Sequence, residues 1–228
     1  MNLSSTTLIV YRFRMTTGRN PRRRPNPGER QRDPERTRAR ILDAAKVEFG
    51  AKGFAGARVS DIADRAGVNK QLISYYFGGK EGLYTELNNQ WQQVSAQLSS
   101  ADQPLDAVVA GYTLSTLHDR DGARLMAWTN MSPADAPADT EQEREFLQAQ
   151  VADLRRRQEA GELPADLDPA CVLLALFAAA SATVTLPRTA TAICGDDASS
   201  DEFVRHYADQ LALLVRHLGP GEAGSGQQ

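Results

Sequence analysis

The sequence predicts an all-α protein. Apolar residues recur at helical spacing in nine separate segments, and no segment alternates apolar and polar residues as a half-buried strand does. The breaks between segments fall at residues that stop or start helices, such as Gly53, Gly67 and Asn69. With 228 residues and 41% hydrophobic content, the chain can bury a sizeable core.

The elements follow in order. Residues 1–32 are rich in Arg, Pro and Asn, a composition that cannot offset ordering entropy, and are expected to form a disordered basic tail. Translation from Met15 rather than Met1 stays open. Asp33 suits an N-cap and Pro34 a first helical position; the helix they open carries Ile41, Leu42, Ala45 and Phe49 on one side and ends at Gly53. Residues 59–67 and 70–77 read as two short helices joined by a turn containing Gly67, with Asn69 as the second N-cap. From Gly79 a longer helix carries Leu83, Tyr84, Leu87, Trp91, Val94 and Leu98. Further helices are expected over 105–117, 123–131, 140–161, 166–186 and 200–219, with a loop at 132–139 and a disordered tail at 220–228. The boundaries divide the chain into a small helical domain at 33–79 and a larger one at 80–219.

Charge is distributed unevenly. Residues 1–82 carry a net +9 and residues 83–228 a net −12. A basic first third on an acidic body points to one end that meets a polyanion. Cys171 and Cys194 have no metal-ligand spacing and read as reduced thiols in or near a core. The longest apolar run, 171–186, is too short and alanine-rich to favour spanning a membrane, and the first residues lack the pattern of a signal peptide. A cytoplasmic protein, nucleoid-associated when bound to DNA, is the expectation. His118, His206 and His217 sit in no nucleophile or metal pattern, and no Gly-rich phosphate loop occurs. The chain therefore reads as no enzyme and as needing no cofactor or metal.

The segment GVNKQLISYYFGGKEGLY, residues 67–84, focuses the reading. Ile73 and Phe77 share one face of the helix, suited to packing on Phe49, Ile62 and Leu83. The opposite face offers Lys70, Gln71, Ser74 and Tyr75, the side chains that reach base edges and phosphates. Lys80 at a helix N-terminus opposes the macrodipole, but becomes favourable when a phosphate arrives there.

The run from Ile41 to Leu83 resembles the DNA-binding domain of the tetracycline-repressor (TetR) family of bacterial transcription regulators. The matching blocks are ILDAA at 41–45, F-x-x-K-G-F at 49–54, VSDIADRAGV at 59–68 and YYFGGKEGLY at 75–84. The resemblance implies DNA contacts from Arg58, Ser60, Lys70, Gln71, Ser74, Tyr75, Tyr76 and Lys80. Arg58 stands where the family often has Thr or Ser, Gln71-Leu72 where many members have Gly-Thr, and Ser74 where a Tyr is frequent, so no operator sequence carries over. The arginines of the tail are a second candidate for DNA contact.

The same resemblance implies a homodimer on a palindromic operator, built from the last two long helices. Leu176, Ala179, Phe203, Tyr207, Leu211, Leu214 and Leu218 are the candidate interface residues. It also implies a small-molecule effector cavity within the body. Trp91, Tyr112, His118, Met126, Trp128 and Met131 are candidates to line it, although stripes of such residues also serve as core. The expected function is a dimeric repressor released from its operator by a ligand. An activator, or an architectural DNA-binding protein without a ligand switch, is the alternative.

Overall fold

A computed structural model describes residues 34–100, 103–131 and 141–219. All of these except Pro34 fall in one unit of the chain, Glu35–Gln228. The two expected tails, the Asp33 cap and the loop at 132–139 lie outside the described residues. Ten helices and no strand are present among those described: α1 Pro34–Gly56, α2 Val59–Ala66, α3 Lys70–Phe77, α4 Lys80–Leu98, α5 Leu105–His118, α6 Arg120–Met131, α7 Glu141–Glu159, α8 Pro169–Thr185, α9 Pro187–Cys194 and α10 Asp201–Leu218.

Several boundaries have a visible local cause. Gly53 interrupts α1 at φ 67°, ψ 175°, and helical turns resume only briefly after it. Asp119 accepts a hydrogen bond from the Gly122 amide at 3.0 Å, so α6 starts three residues before the expected position. Asp168 caps α8 by accepting from the Cys171 amide at 2.9 Å, with Pro169 at the first helical position. Ser200 caps α10 in the same way, accepting from Phe203 at 3.1 Å. The expected helix count was one short. α9 falls where the sequence suggests no element, because PRTATAIC carries a single large apolar residue, Ile193, and so shows no apolar stripe; it leaves α8 at an 87° bend.

Two cores organise these helices. The first gathers Ile41, Ala45 and Phe49 of α1, Ile62 of α2, Ile73 of α3, Leu83, Tyr84 and Leu87 of α4, and Leu125 of α6. Phe54 closes it, stacked on Phe49 at 5.8 Å and edge-on to Tyr84 at 5.2 Å. The second core holds Leu105 and Val109 of α5, Leu154 of α7, Leu163 of the connection that follows it, Leu176 and Ala180 of α8, and Leu211 and Val215 of α10. α4 and α6 contribute buried residues to the first core alone, but both also touch α5 and α8, helices of the second. Both cysteines are exposed, which corrects the expectation of thiols in a core. No single helix among the described residues is long and apolar enough to cross a membrane.

Candidate nucleic-acid interface

The turn between α2 and α3 is fixed by backbone chemistry. Gly67 adopts the left-handed conformation at φ 62°, and its amide donates to the Asp64 carbonyl at 3.1 Å while the Val68 amide donates to Ala63 at 3.0 Å. This double bond pattern closes a helix C-terminus and turns the chain sharply. Arg40 of α1 reinforces it by donating to the Ala66 and Gly67 carbonyls. Asn69 then starts α3, its side-chain oxygen accepting from the Gln71 amide at 2.9 Å.

With Ile73 fully buried and Leu72, Tyr76 and Phe77 packed at the edge of the core, α3 has one orientation. Lys70, Gln71, Ser74 and Tyr75 are thereby left in solvent, as are Arg58 and Ser60 at the start of α2. Tyr75 is 80% exposed, an unusual state for so large an apolar ring. Its ring meets Tyr76 edge-on at 5.1 Å. Tyr76 is half-buried and so is held in place more firmly than Tyr75. Arg58 occupies the N-cap position of α2 in extended backbone and makes no side-chain cap bond. Ser60 donates to Asp61 at 3.2 Å.

The α3–α4 junction depends on glycine. Gly78 caps α3 at φ 73°, and Gly79 sits at φ 118°, ψ −155°, where side chains are strained. At Gly82, an added Cβ would lie 1.6 Å from the Phe77 carbonyl oxygen. Lys80 is not loose at this helix start. Its ammonium donates to the Ala55 carbonyl at 3.2 Å and lies 4.5 Å from the centre of the Phe54 ring. A carbonyl at the end of α1 and an aromatic face offset the unfavourable macrodipole term without any phosphate.

A charged clamp that the sequence reading did not anticipate sets the position of α2. Glu48 of α1 is almost fully buried and pairs with Lys52 at 2.6 Å and with Arg65 at 2.9 Å; Lys52 also reaches Asp61 at 2.9 Å. The hydrogen bond from Lys52 and the one from Arg65 hold the Glu48 carboxyl below its ordinary value despite burial. Arg38 adds a second tie, bridging Glu86 of α4 at 2.8 Å and lying 4.7 Å over the Phe77 ring. Helical periodicity places Glu48 beside Phe49, but nothing in a single sequence shows which basic residues turn back toward it.

In the body, the candidate effector residues do not form one cluster. Trp91 packs edge-on against Phe146 at 6.1 Å and Phe177 at 6.3 Å. The Tyr112 hydroxyl hydrogen-bonds the Ser95 hydroxyl and donates to the Ser95 carbonyl. Trp128 and Met131 line an open groove of about 410 Å³ with Gly50, Ala51, Arg124, Ala127 and Val184. Met126 is half-buried on α6, and His118 is exposed at the end of α5. Of the candidate dimer residues, Leu176, Phe203 and Leu211 are buried within the chain itself, while Ala179, Tyr207 and Leu218 are half-buried. Tyr207 donates to the Ala179 carbonyl at 2.9 Å. Leu214 is exposed, together with Leu174 and Leu213, which had not been singled out.

Comparison with known proteins finds two family models along the chain. Residues 41–87 match the family model "Bacterial regulatory proteins, tetR family", and residues 105–212 match "Tetracyclin repressor-like, C-terminal domain". The chain is 34% identical over 177 residues to the HTH-type transcriptional repressor SCO4008 of Streptomyces coelicolor, covering 75% of this chain and 90% of that protein. It is 35% identical over 91 residues to the HTH-type transcriptional repressor NicS of Pseudomonas putida, covering 36% of this chain and 43% of that one. Among solved structures, the transcriptional regulator SCO4942 from Streptomyces coelicolor superposes with a TM-score of 0.64 at 29% identity, over 81% of this chain and 98% of the other.

Proposed function

The chain belongs to the TetR family of DNA-binding bacterial transcription regulators, and from that premise we propose that it acts as a dimeric repressor released from a palindromic operator by a small molecule. The observation that carries the DNA-reading part is the outward face of α3. Lys70, Gln71, Ser74 and Tyr75 stand in solvent on a helix whose other side is locked in the core. Gln71 and Lys70 would read base edges; Arg58, Ser60, Ser74, Tyr75 and Tyr76 would hold phosphates and set the register. Lys80 would exchange its Ala55 carbonyl for a phosphate, or stay and steady the α3–α4 corner.

The repressor part rests on the family and on the 34% identical repressor relative. A dimer places two α3 helices on half-sites one helical turn apart or a multiple of that. α8 and α10 would supply the contact through their exposed residues, Leu174, Leu213 and Leu214, rather than through those used in the chain's own core.

Release would run through α4 and α6, which line the first core and also touch α5 and α8 of the second. Tyr84 of α4 donates to Thr129 of α6 at 2.9 Å, and Lys46 of α1 pairs with Asp119 before α6 at 2.7 Å. A ligand that shifts either helix would reorient α1–α3. Such coupling is typically about 1–3 kcal/mol and is reciprocal, so operator DNA would weaken effector binding by the same factor. The test is selection of bound sequences from random duplex DNA. The reading predicts one motif with two-fold symmetry and a fixed half-site spacing; an asymmetric motif or none would reject the dimeric repressor.

A further inference from the structure

Trp128 and Met131 are large and apolar, yet they belong to neither core. Trp128 is 39% exposed and Met131 65%. Both lie on the last turns of α6 and line the groove of about 410 Å³. The other side of that groove is shaped by the glycines of α1. A Cβ at Gly50 would lie 2.6 Å from the Asp121 carbonyl oxygen, and one at Gly53 would lie 3.2 Å from the Trp128 indole. Side chains are thus missing from α1 where α6 approaches it, and Ala51 adds only a methyl group to the lining. Val184 brings α8 into the same groove. The groove therefore lies where the helix that carries α2 and α3 meets the body, not within the body.

The lining defines what fits. Its volume falls in the range of small-molecule sites, about 300–1,000 Å³. Trp128 is the one aromatic ring in the lining, and an indole favours a flat ring stacked on it. Met131 is unbranched and adapts to the outline of what it covers. Arg124 is the one charged residue in the lining. It reaches Asp121 at 3.5 Å along its own helix, and its side chain is 59% exposed. Exposed pairs of this kind contribute little. The guanidinium can therefore turn to a carboxylate and meet it with two parallel hydrogen bonds. A groove with one cation and apolar walls selects an anion and rejects an amine.

We infer that the groove between α1, α6 and α8 binds a small planar aromatic carboxylic acid, its ring on Trp128 and its carboxylate on Arg124. The inference rests on the reading of this chain as a ligand-released regulator, and gives the effector a place and a chemical class. A molecule held there touches α1 directly. Phe49 and Glu48 of that helix hold α4 and α2 through the first core and the Arg65 ion pair. The acid and the operator then change each other's affinity by the same factor.

The chain has two tryptophans, which makes the site readable by NMR. Trp128 lines the groove, while Trp91 packs against Phe146 and Phe177 in the body. Isotope-labelled full chain is titrated with benzoate, 2-naphthoate and the uncharged 2-naphthamide, and Trp128→Phe assigns the two indole N–H signals. The expected result is a saturable shift of the Trp128 signal by 2-naphthoate, with Trp91 unmoved. Arg124→Gln, or the amide in place of the acid, raises the dissociation constant about tenfold or more. Ala51→Phe, which fills the groove from an exposed position of α1, abolishes the shift. Bound acid changes the affinity for a selected operator about fivefold or more, an effect absent in Arg124→Gln. No saturable Trp128 shift with either acid overturns the inference, and so does equal binding of acid and amide. A shift of Trp91 alone, with release of the operator, overturns the groove and leaves the ligand-released regulator standing. A Trp128 signal that follows protein concentration instead of acid gives the groove to a second copy and overturns the inference as well. Acid bound at Trp128 with operator affinity unchanged overturns its role as effector.

Discussion

Gln71 and Tyr75 stand in solvent because Ile73 and Phe77 hold the opposite side of α3 against the core. Buried Ile73 and half-buried Phe77 consume one side of α3, and what remains exposed is the hydrogen-bonding side. Gln71→Ala is therefore expected to cost operator binding about 1–3 kcal/mol, roughly ten- to hundredfold, while the unfolding midpoint in urea barely moves. Fluorescence anisotropy on a selected operator, beside urea titration, checks both halves of the statement. Glu48 is the opposite kind of residue, hidden and structural. Its carboxyl titrates below the ordinary value of a glutamate, chiefly through the Lys52 hydrogen bond. A depressed carboxyl stabilises the fold above its unfolded pKa, and that stability is lost as pH falls through the lower folded value. Glu48→Gln should thus lower stability at pH 7, by about 1–2 kcal/mol given cations half in solvent. It should also flatten the loss of stability below about pH 4.5. Equal acid limbs for wild type and variant in pH-dependent melting would remove Glu48 from that role. The exposed face of α3 could be read from residue types alone, since helical spacing separates Ile73 and Phe77 from Gln71 and Ser74. The Glu48 clamp and the Ala55 contact of Lys80 could not, because both join residues whose approach depends on how α1 bends at Gly53.

Elements α1 to α4 were legible where single residues carry the boundary. Gly67, Asn69 and Gly79 each have a conformation or a cap that dictates a turn. α9 was not legible, since its only large apolar residue is Ile193 and one such residue makes no stripe. The long helices gave a different difficulty. An apolar stripe on α8 or α10 tells that a face is covered, not whether the chain itself or a partner covers it. Leu176, Phe203 and Leu211 went to the chain's own core, and Leu174 and Leu213 stayed outside. Gly82 gives the sharpest prediction at this scale. The Phe77 carbonyl occupies the place of a Cβ, so Gly82→Ala must push α3 from α4. The expected cost is about 1–3 kcal/mol or more, as for overpacking of a dense site, with operator affinity falling as well. Thermal unfolding that leaves Gly82→Ala indistinguishable from wild type would show that the corner is more pliant than its geometry indicates. Asn69→Ala removes the cap of α3 and should cost about 1 kcal/mol, with Asn69→Ser restoring most of it.

Along the whole chain, the net +9 of residues 1–82 contrasts with the net −12 of residues 83–228. That polarity favours approach of DNA to one end and opposes coating by the body. Each phosphate contact contributes about 0.9 to the slope of log affinity against log salt on duplex DNA. Lys70→Ala and Lys80→Ala should each lower that slope by up to about that amount, and a phosphate role for either is rejected if its slope matches wild type. The central claim is that the α2–α3 face, with the start of α4, reads sequence and does not merely hold charge. The most direct test is recovery of genomic fragments by purified protein and by the Gln71→Ala/Tyr75→Ala double variant, which leaves every charge in place. The account predicts a few fragments sharing one two-fold symmetric motif, lost in the variant. Equal recovery of all DNA by both proteins, falling alike with salt, would contradict it.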